Sequence, residues 1–174
     1  SDTVLVPILR WLFGTLTSEP VELRWGDLRG LSTPPKSLQA RLACAVELYP
    51  CRLLFVHRDA ERQPAQDRYD EIHVANTTGL HHVCVVPVRM QEAWLLHDEE
   101  ALREAAGRPS GKDPLGLPPP SKWEALPDPK HTLHATLMAA SGATGRRAKK
   151  FNPGAAAHRL ADLVDNWSPL RKLT

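Results

Sequence analysis

Asp59 and Glu61 are the residues whose types and spacing point most directly to chemistry. They follow the apolar run 53–56, which is typical of a buried parallel strand because it is short and bounded by charged residues. Ligands of open α/β sheets bind beyond the carboxyl ends of the strands. Residues two apart in extended backbone point to the same side. We therefore expect both carboxylates to converge on one Mg²⁺ or Mn²⁺ ion, although ordinary surface charges at a strand end would give the same pattern.

Helical and strand patterns alternate around these acidic residues. The spacing of apolar residues predicts helices over 3–16, 37–48, 63–73, 92–96, 99–106, 130–140 and 155–167, and strands over 21–25, 52–56 and 82–88. Ser1, Asp2 and Thr3 are candidate N-caps of the first helix. The alternation predicts a layered α/β fold with a short, mainly parallel sheet flanked by helices.

The composition changes abruptly at Gly107. Residues 107–129 are rich in proline and glycine, which disfavours regular structure and predicts a loop or arm. We therefore divide the chain into an α/β core over residues 1–106, this arm, and a C-terminal helical extension over residues 130–174 that packs on the core. The first strand of the core is expected upstream of residue 1.

The overall composition excludes several classes of protein. The 174 residues carry a net charge of +2, so the whole-chain charge selects no partner. No apolar run reaches the ~18 residues that a membrane span needs, and no signal peptide is visible. Cys44, Cys51 and Cys84 are odd in number and lie in or beside apolar segments. They predict buried free thiols in a reducing compartment, hence a cytoplasmic protein, rather than a disulfide framework or a zinc site.

Two motifs carry a family resemblance. Residues 57–61 (His-Arg-Asp-Ala-Glu) end one predicted strand, and residues 90–96 (Met-Gln-Glu-Ala-Trp-Leu-Leu) follow the next. With the order of elements around them, over roughly residues 1–150, they resemble a bacterial family of uncharacterised Toprim-like proteins. That family is distantly related to OLD-family nucleases and to the Toprim domains of primases and topoisomerases. The resemblance implies a Toprim-like fold.

The resemblance also implies a set of site residues. The Toprim Asp-x-Asp falls on Asp59 and Glu61, with Glu in place of the second Asp, and the preceding Glu-Gly falls upstream of residue 1. Glu92 would be a third acidic ligand, and Lys130 would stabilise charge on the phosphoryl group. Each has a simpler interpretation, because Glu92 suits a helix N-terminus and Lys130 follows a candidate helix cap, Asp128.

Basic residues suggest where nucleic acid would bind. Arg58 and His57 stand beside the acidic pair and could contact phosphate, although His57 is also typical of a packed strand end. A basic run near the C-terminus suits a phosphate backbone or simply a solvated face, and it comprises Arg146, Arg147, Lys149 and Lys150. Two further histidine pairs, 131/134 and 81/82, lack a matching set of Cys or His ligands.

Three functions are consistent with these observations. The resemblance favours a Mg²⁺- or Mn²⁺-dependent nuclease, acting on DNA in preference to RNA, with an ATPase partner in bacterial defence against phage and other foreign nucleic acid. The alternative is a non-catalytic Toprim-like module that binds nucleic acid or a protein. A third option is a toxin that acts on RNA or nucleotides through the same carboxylates. The sequence leaves the oligomeric state and the enzymatic activity itself open.

Overall fold

The computed structural model describes residues 4–61 and 63–173. The candidate N-caps Ser1, Asp2 and Thr3 lie outside this part of the chain. The strands are β1 Leu53–His57 and β2 His81–Val85, and 3₁₀ helices cover Gln91–His97, Pro120–Lys122 and Ser168–Lys172. The α-helices are α1 Leu5–Leu16, α2 Leu38–Leu48, α3 Ala65–Ala75, α4 Glu99–Ala105, α5 Pro129–Ser141, α6 Gly145–Lys150 and α7 Pro153–Leu163.

The chain forms two compact units. The sheet unit comprises residues 24–88, and the helical unit comprises the residues up to 23 together with those from 89 onwards. These units follow the contacts within the fold, whereas the sequence-based divisions at 106/107 and 129/130 follow composition. The sequence-based divisions stay predictions.

The sheet unit is a β–α–β arrangement with one additional helix. Strands β1 and β2 pair in parallel, with Val56 opposite Cys84, and α3 connects them. One apolar cluster joins β1 to α2 and α3 through Leu42, Val56, Ile72 and Ala75, and Cys84 of β2 packs against it. The predicted mixed α/β class with a short parallel sheet flanked by helices is therefore confirmed, and the finer Toprim-like assignment stays a prediction.

The predicted strand over residues 21–25 is wrong. These residues alternate apolar and charged side chains, but they belong to no strand, because the sheet in the described part of the chain contains β1 and β2 alone. Alternation indicates which side chains would share a face. It cannot supply the neighbouring strand that the backbone N–H and C=O groups need.

The helical unit holds the larger apolar cluster, which the C-terminal helices help to build. Leu102, Leu137 and Leu160 bring α4, α5 and α7 into this cluster, and each is 0% exposed. Helix α5 begins at Pro129, where the side chain of Asp128 accepts a hydrogen bond from the N–H of His131. The proposed cap at Asp128 is thus confirmed.

The proline-rich segment 107–129 contains a single short turn of 3₁₀ helix, in agreement with its composition. It is nevertheless anchored to the helical unit. Trp123 is 3% exposed within the large apolar cluster, and its indole N–H donates to the carbonyl oxygen of Pro118 at 2.8 Å. Burial of one large aromatic side chain fixes the segment without regular secondary structure.

No helix within residues 4–61 and 63–173 has the length and apolar character needed to cross a lipid bilayer.

Candidate functional site

The candidate site lies where β1 ends in the sheet unit. Backbone hydrogen bonds between the two chain segments continue beyond His57. The N–H of Arg58 donates to the carbonyl oxygen of Val85, and the N–H of Ala60 donates to the carbonyl oxygen of Pro87, both at 3.1 Å. Continued pairing keeps the alternation of side chains. His57 and Asp59 therefore share one side, and Nε2 of His57 lies 3.2 Å from Oδ1 of Asp59.

Both atoms of this contact are buried, and neither has a hydrogen-bonding partner among the described residues apart from the 3.2 Å contact that they make with each other. The side chain of His57 is 9% exposed and that of Asp59 is 26% exposed, so only the carboxylate side is open to solvent. Buried polar atoms in native proteins are nearly always hydrogen-bonded, and exceptions often mark an ion or a functional site. Two neighbouring ligands of one octahedral cation are about 3.0 Å apart, given bonds of about 2.1 Å. The pair therefore has the spacing of two cation ligands.

Glu61 departs from the geometry that the sequence predicts. Its φ is 56°, in the left-handed region, so the extended course that would point it to the side of Asp59 has ended. The side chain is exposed. The extended backbone on which the shared side of Asp59 and Glu61 depends ends at Glu61, so that expectation stays a prediction. The residue that the structure brings against Asp59 is His57. A role for Glu61 as a metal ligand stays a prediction.

A charged cluster lies next to the pair. Glu71 of α3 receives hydrogen bonds from Arg58 at 2.9 Å and from Arg68 at 2.8 Å. Arg68 also donates from Nε to the backbone carbonyl of Asp59 at 3.2 Å, which ties α3 to the candidate site. Two guanidinium groups against one carboxylate leave one net positive charge beside Asp59.

The pKa of Glu71 reflects this cluster. Partial burial on its own raises the pKa of the carboxyl group. Hydrogen bonds and positive charge from Arg68 and Arg58 outweigh burial and hold the pKa below its ordinary value of 4.5. Glu71 is therefore an anion at neutral pH, and it holds the two guanidinium groups in place.

Two of the predicted site residues belong to the helical unit. Glu92 is the second residue of the 3₁₀ helix Gln91–His97 and is 4% exposed. Lys130 is exposed in the first turn of α5. Asp59 and Glu61 belong to the sheet unit, and the roles of Glu92 and Lys130 stay predictions.

The basic run near the C-terminus forms α6, a helix that the sequence did not predict. Arg146, Arg147, Lys149 and Lys150 are all exposed, and none forms an ion pair with another described residue. Like charges three or four residues apart on a helix destabilise it. An exposed cluster of basic side chains is suited to binding a polyanion, because the polyanion would relieve the repulsion between these side chains.

A second group of side chains in the sheet unit was missed from the sequence. His73 lies in the last turn of α3, and His82 and Cys84 lie on β2. One potential ligand atom from each lies within 4.8 Å of the other two. Burial raises the pKa of the Cys84 thiol. The spacing of His82 and Cys84 was a usable signal, but only the fold brings α3 and His73 to them.

Comparison with protein-family models, with curated proteins and with solved structures finds no match for this chain. The geometry of the described residues is therefore the basis for assigning a function.

Proposed function

We propose that this chain is a divalent-cation-dependent phosphodiester hydrolase that acts on nucleic acid. The observation that carries this proposal is the contact between Nε2 of His57 and Oδ1 of Asp59 at the carboxyl end of β1. Both atoms are buried, and their contact with each other is the only polar contact that either makes to the described residues. They lie at the edge of a parallel sheet where such folds bind their ligands.

The donor atoms favour Mn²⁺ over Mg²⁺. An imidazole nitrogen and a carboxylate oxygen together suit Mn²⁺, whereas Mg²⁺ prefers oxygen ligands and retains much of its water. The exposed carboxylate of Glu61 would provide a further oxygen. A cation bound here would polarise a scissile phosphate and lower the pKa of a bound water molecule.

Neighbouring residues would bind and orient the phosphate. The net positive charge of the cluster formed by Arg58, Arg68 and Glu71 attracts a phosphodiester to the same edge. Nε of Arg58 is buried without a hydrogen bond to the described residues, so this guanidinium group retains a donor. Glu92, proposed as an acidic group, and Lys130, proposed as a point charge on phosphoryl oxygens, belong to the helical unit. Their roles are proposed from the Toprim resemblance alone.

The proposed substrate is DNA in preference to RNA, held by the basic residues of α6. Such contacts bind the phosphate backbone without regard to sequence. Following the resemblance to OLD-family nucleases, we propose that the chain acts together with an ATPase partner in defence against foreign nucleic acid. Cys44, Cys51 and Cys84 are all free, which supports a reducing, cytoplasmic setting.

A non-catalytic nucleic-acid-binding module is the second candidate, and the unpaired basic surface of α6 favours it. Binding to phosphates by α6 needs no cation at Asp59. The two candidates therefore differ in whether the Asp59 carboxylate is needed for turnover of a substrate.

The test is cleavage of supercoiled plasmid, single-stranded DNA and RNA by the full chain with Mn²⁺ or Mg²⁺. We expect cleavage with Mn²⁺, and we expect its rate to fall at least about 100-fold in Asp59→Asn. That figure is the upper end of the loss caused by mutating residues that only orient metal ligands. Asp67→Asn is the matched control, because Asp67 is an exposed acidic residue of α3. Binding without cleavage of any of the three substrates would instead favour the non-catalytic module.

A further inference from the structure

We propose that His73, His82 and Cys84 form a second metal site, specific for a borderline-soft divalent cation such as Zn²⁺. The site is separate from Asp59. His82 pairs with Leu54 near the start of the sheet, whereas the Asp59 edge follows the pair His57 and Val85 at its carboxyl end. His82 and Val85 are three residues apart on β2, which corresponds to about 10 Å along the strand.

The fold converges three ligand atoms on one point. His82 and Cys84 are two residues apart on β2, so they share a face of the sheet, and the last turn of α3 places His73 against them. Nδ1 of His73 lies 2.9 Å from Nε2 of His82, and the group of three ligand atoms spans no more than 4.8 Å. His73 is exposed while the other two are half-buried, which gives a cation a path from solvent.

The donor set determines the kind of cation. Two imidazole nitrogens and one thiolate suit Zn²⁺, and they suit Mg²⁺ poorly because it prefers oxygen. Three protein ligands leave the fourth tetrahedral position for water, as in catalytic zinc sites. Nitrogen ligands of tetrahedral zinc are about 3.3 Å apart, given Zn–N bonds of about 2.0–2.1 Å. A small rotation of the exposed His73 ring would open the 2.9 Å contact to that distance.

Asn76 controls which nitrogen of His82 carries a proton. Its Nδ2 donates to the carbonyl oxygen of Leu80 at 2.9 Å, and its Oδ1 accepts from the Thr78 hydroxyl. These contacts fix the amide, so Nδ2 faces Nδ1 of His82 at 2.8 Å as a donor. Neutral His82 therefore carries its proton on Nε2 and donates it to His73.

Zinc binding then requires one defined rearrangement. Zn²⁺ takes the lone pair of Nε2, and the His82 proton moves to Nδ1. The amide of Asn76 must turn to accept that proton, which breaks its hydrogen bond to Leu80. Cys84 releases its thiol proton to solvent when the sulfur–zinc bond forms. Asn76 is thus a positioning residue that sets the affinity of the site.

The test titrates the tag-free, reduced full chain with Co²⁺ as an optical probe and displaces it with Zn²⁺. We expect one ion per chain, a sulfur-to-cobalt charge-transfer band, and loss of that band in Cys84→Ser. His73→Ala should weaken Zn²⁺ binding at least about tenfold. Because His73 is exposed, its removal leaves the apolar cluster intact even if Cys84→Ser does not fold.

Matched controls separate this site from other thiols and from Asp59. Cys51→Ser and His81→Ala change exposed neighbours and should leave the cobalt spectrum unchanged, as should Asp59→Asn. The proposal is overturned if the wild-type chain binds no Co²⁺ or Zn²⁺. It is equally overturned if His73→Ala binds Zn²⁺ as tightly as the wild type.

Discussion

Nε2 of His57 lies 3.2 Å from Oδ1 of Asp59, although His57 ends β1 and Asp59 follows it. Pairing of Arg58 and Ala60 with the segment after β2 maintains this relationship. The candidate cation site thus depends on backbone register beyond the end of the regular strand.

Replacement of His57 should change the choice of cation. We expect His57→Ala to weaken Mn²⁺ binding at least about tenfold and Mg²⁺ binding less, because loss of an imidazole removes the donor that Mg²⁺ uses least. Calorimetric titration with each cation measures the difference. His131→Ala is the control, since His131 is exposed in α5. Equal loss for both cations would contradict His57 as a ligand.

The left-handed backbone at Glu61 stores strain that glycine would relieve. Glu61→Gly should raise the free energy of unfolding by about 1 kcal/mol. A non-glycine residue costs about 1–2 kcal/mol in this conformation, and glycine removes that cost. Part of the gain is offset because glycine increases the conformational entropy of the unfolded chain. Denaturant melts give the value. Glu61→Asn, which removes the charge and tolerates this conformation, should give a smaller increase. A decrease in both variants would mean that the Glu61 side chain stabilises the loop.

The depressed pKa of Glu71 predicts how stability depends on pH. A carboxyl group with a lower pKa in the folded chain stabilises it above the unfolded value, near 4.5, and loses that contribution as the pH falls through the folded pKa. Glu71→Gln should therefore lower the free energy of unfolding at neutral pH by about 1 kcal/mol, a figure kept small because the group is a third exposed.

Thermal melts of Glu71→Gln and the wild type over a range of pH test this dependence. The two curves should converge below pH 4.5. Glu104→Gln, which changes an exposed carboxylate, should follow the wild type throughout. A constant gap between Glu71→Gln and the wild type at all pH values would show that lost packing, rather than charge, explains the effect.

Helix α6 should contribute to salt-dependent binding of DNA. Each phosphate contact adds about 0.9 to the slope of log affinity against log salt concentration. Arg146→Ala with Lys150→Ala should thus reduce the slope by about 1.8 in fluorescence anisotropy with duplex DNA. Lys112→Ala changes an exposed lysine elsewhere in the helical unit and is expected to keep the wild-type slope. An unchanged slope in the double variant would exclude α6 from the interface.

Asn76 provides a gain-of-affinity test of the zinc site. Asn76→Asp places a carboxylate beside Nδ1 of His82, which favours the proton on Nδ1 and frees Nε2 for the metal. We expect roughly tenfold tighter Zn²⁺ binding, because a carboxylate that accepts a hydrogen bond from a zinc-bound histidine strengthens the binding of the metal. Asn76→Leu removes the amide donor without supplying an acceptor, so it is the matched control and should tighten binding less than Asn76→Asp. Weaker binding in Asn76→Asp than in Asn76→Leu would contradict the assignment of Nε2 as the ligand atom.

Local patterns in the sequence predicted β1 correctly, although the strand is less buried than expected, since Val56 alone of its residues is buried. The run 53–56 became β1. Between the predicted helices 92–96 and 99–106 lies Asp98, the N-cap of α4, whose side chain accepts a hydrogen bond from the N–H of Ala101. The strand predicted over residues 21–25 failed because a strand also needs a partner that no local pattern reveals.

The candidate site was only partly predictable for the same reason. Asp59 could be identified from its place after a strand. The left-handed backbone at Glu61 and the approach of His57 to Asp59 are not visible in an acidic Asp-x-Glu pattern. His73 lies on α3, whereas His82 and Cys84 lie on β2. Their convergence depends on how α3 packs against β2, which spacing along the chain does not encode.

The most direct measurement is anomalous diffraction at the manganese absorption edge from crystals of the full chain soaked in Mn²⁺. Our account predicts a peak within about 2.5 Å of Oδ1 of Asp59 and of Nε2 of His57, and no such peak in Asp59→Asn crystals. A well-ordered site with no manganese peak between these two atoms would contradict the proposed cation site and the hydrolase that depends on it.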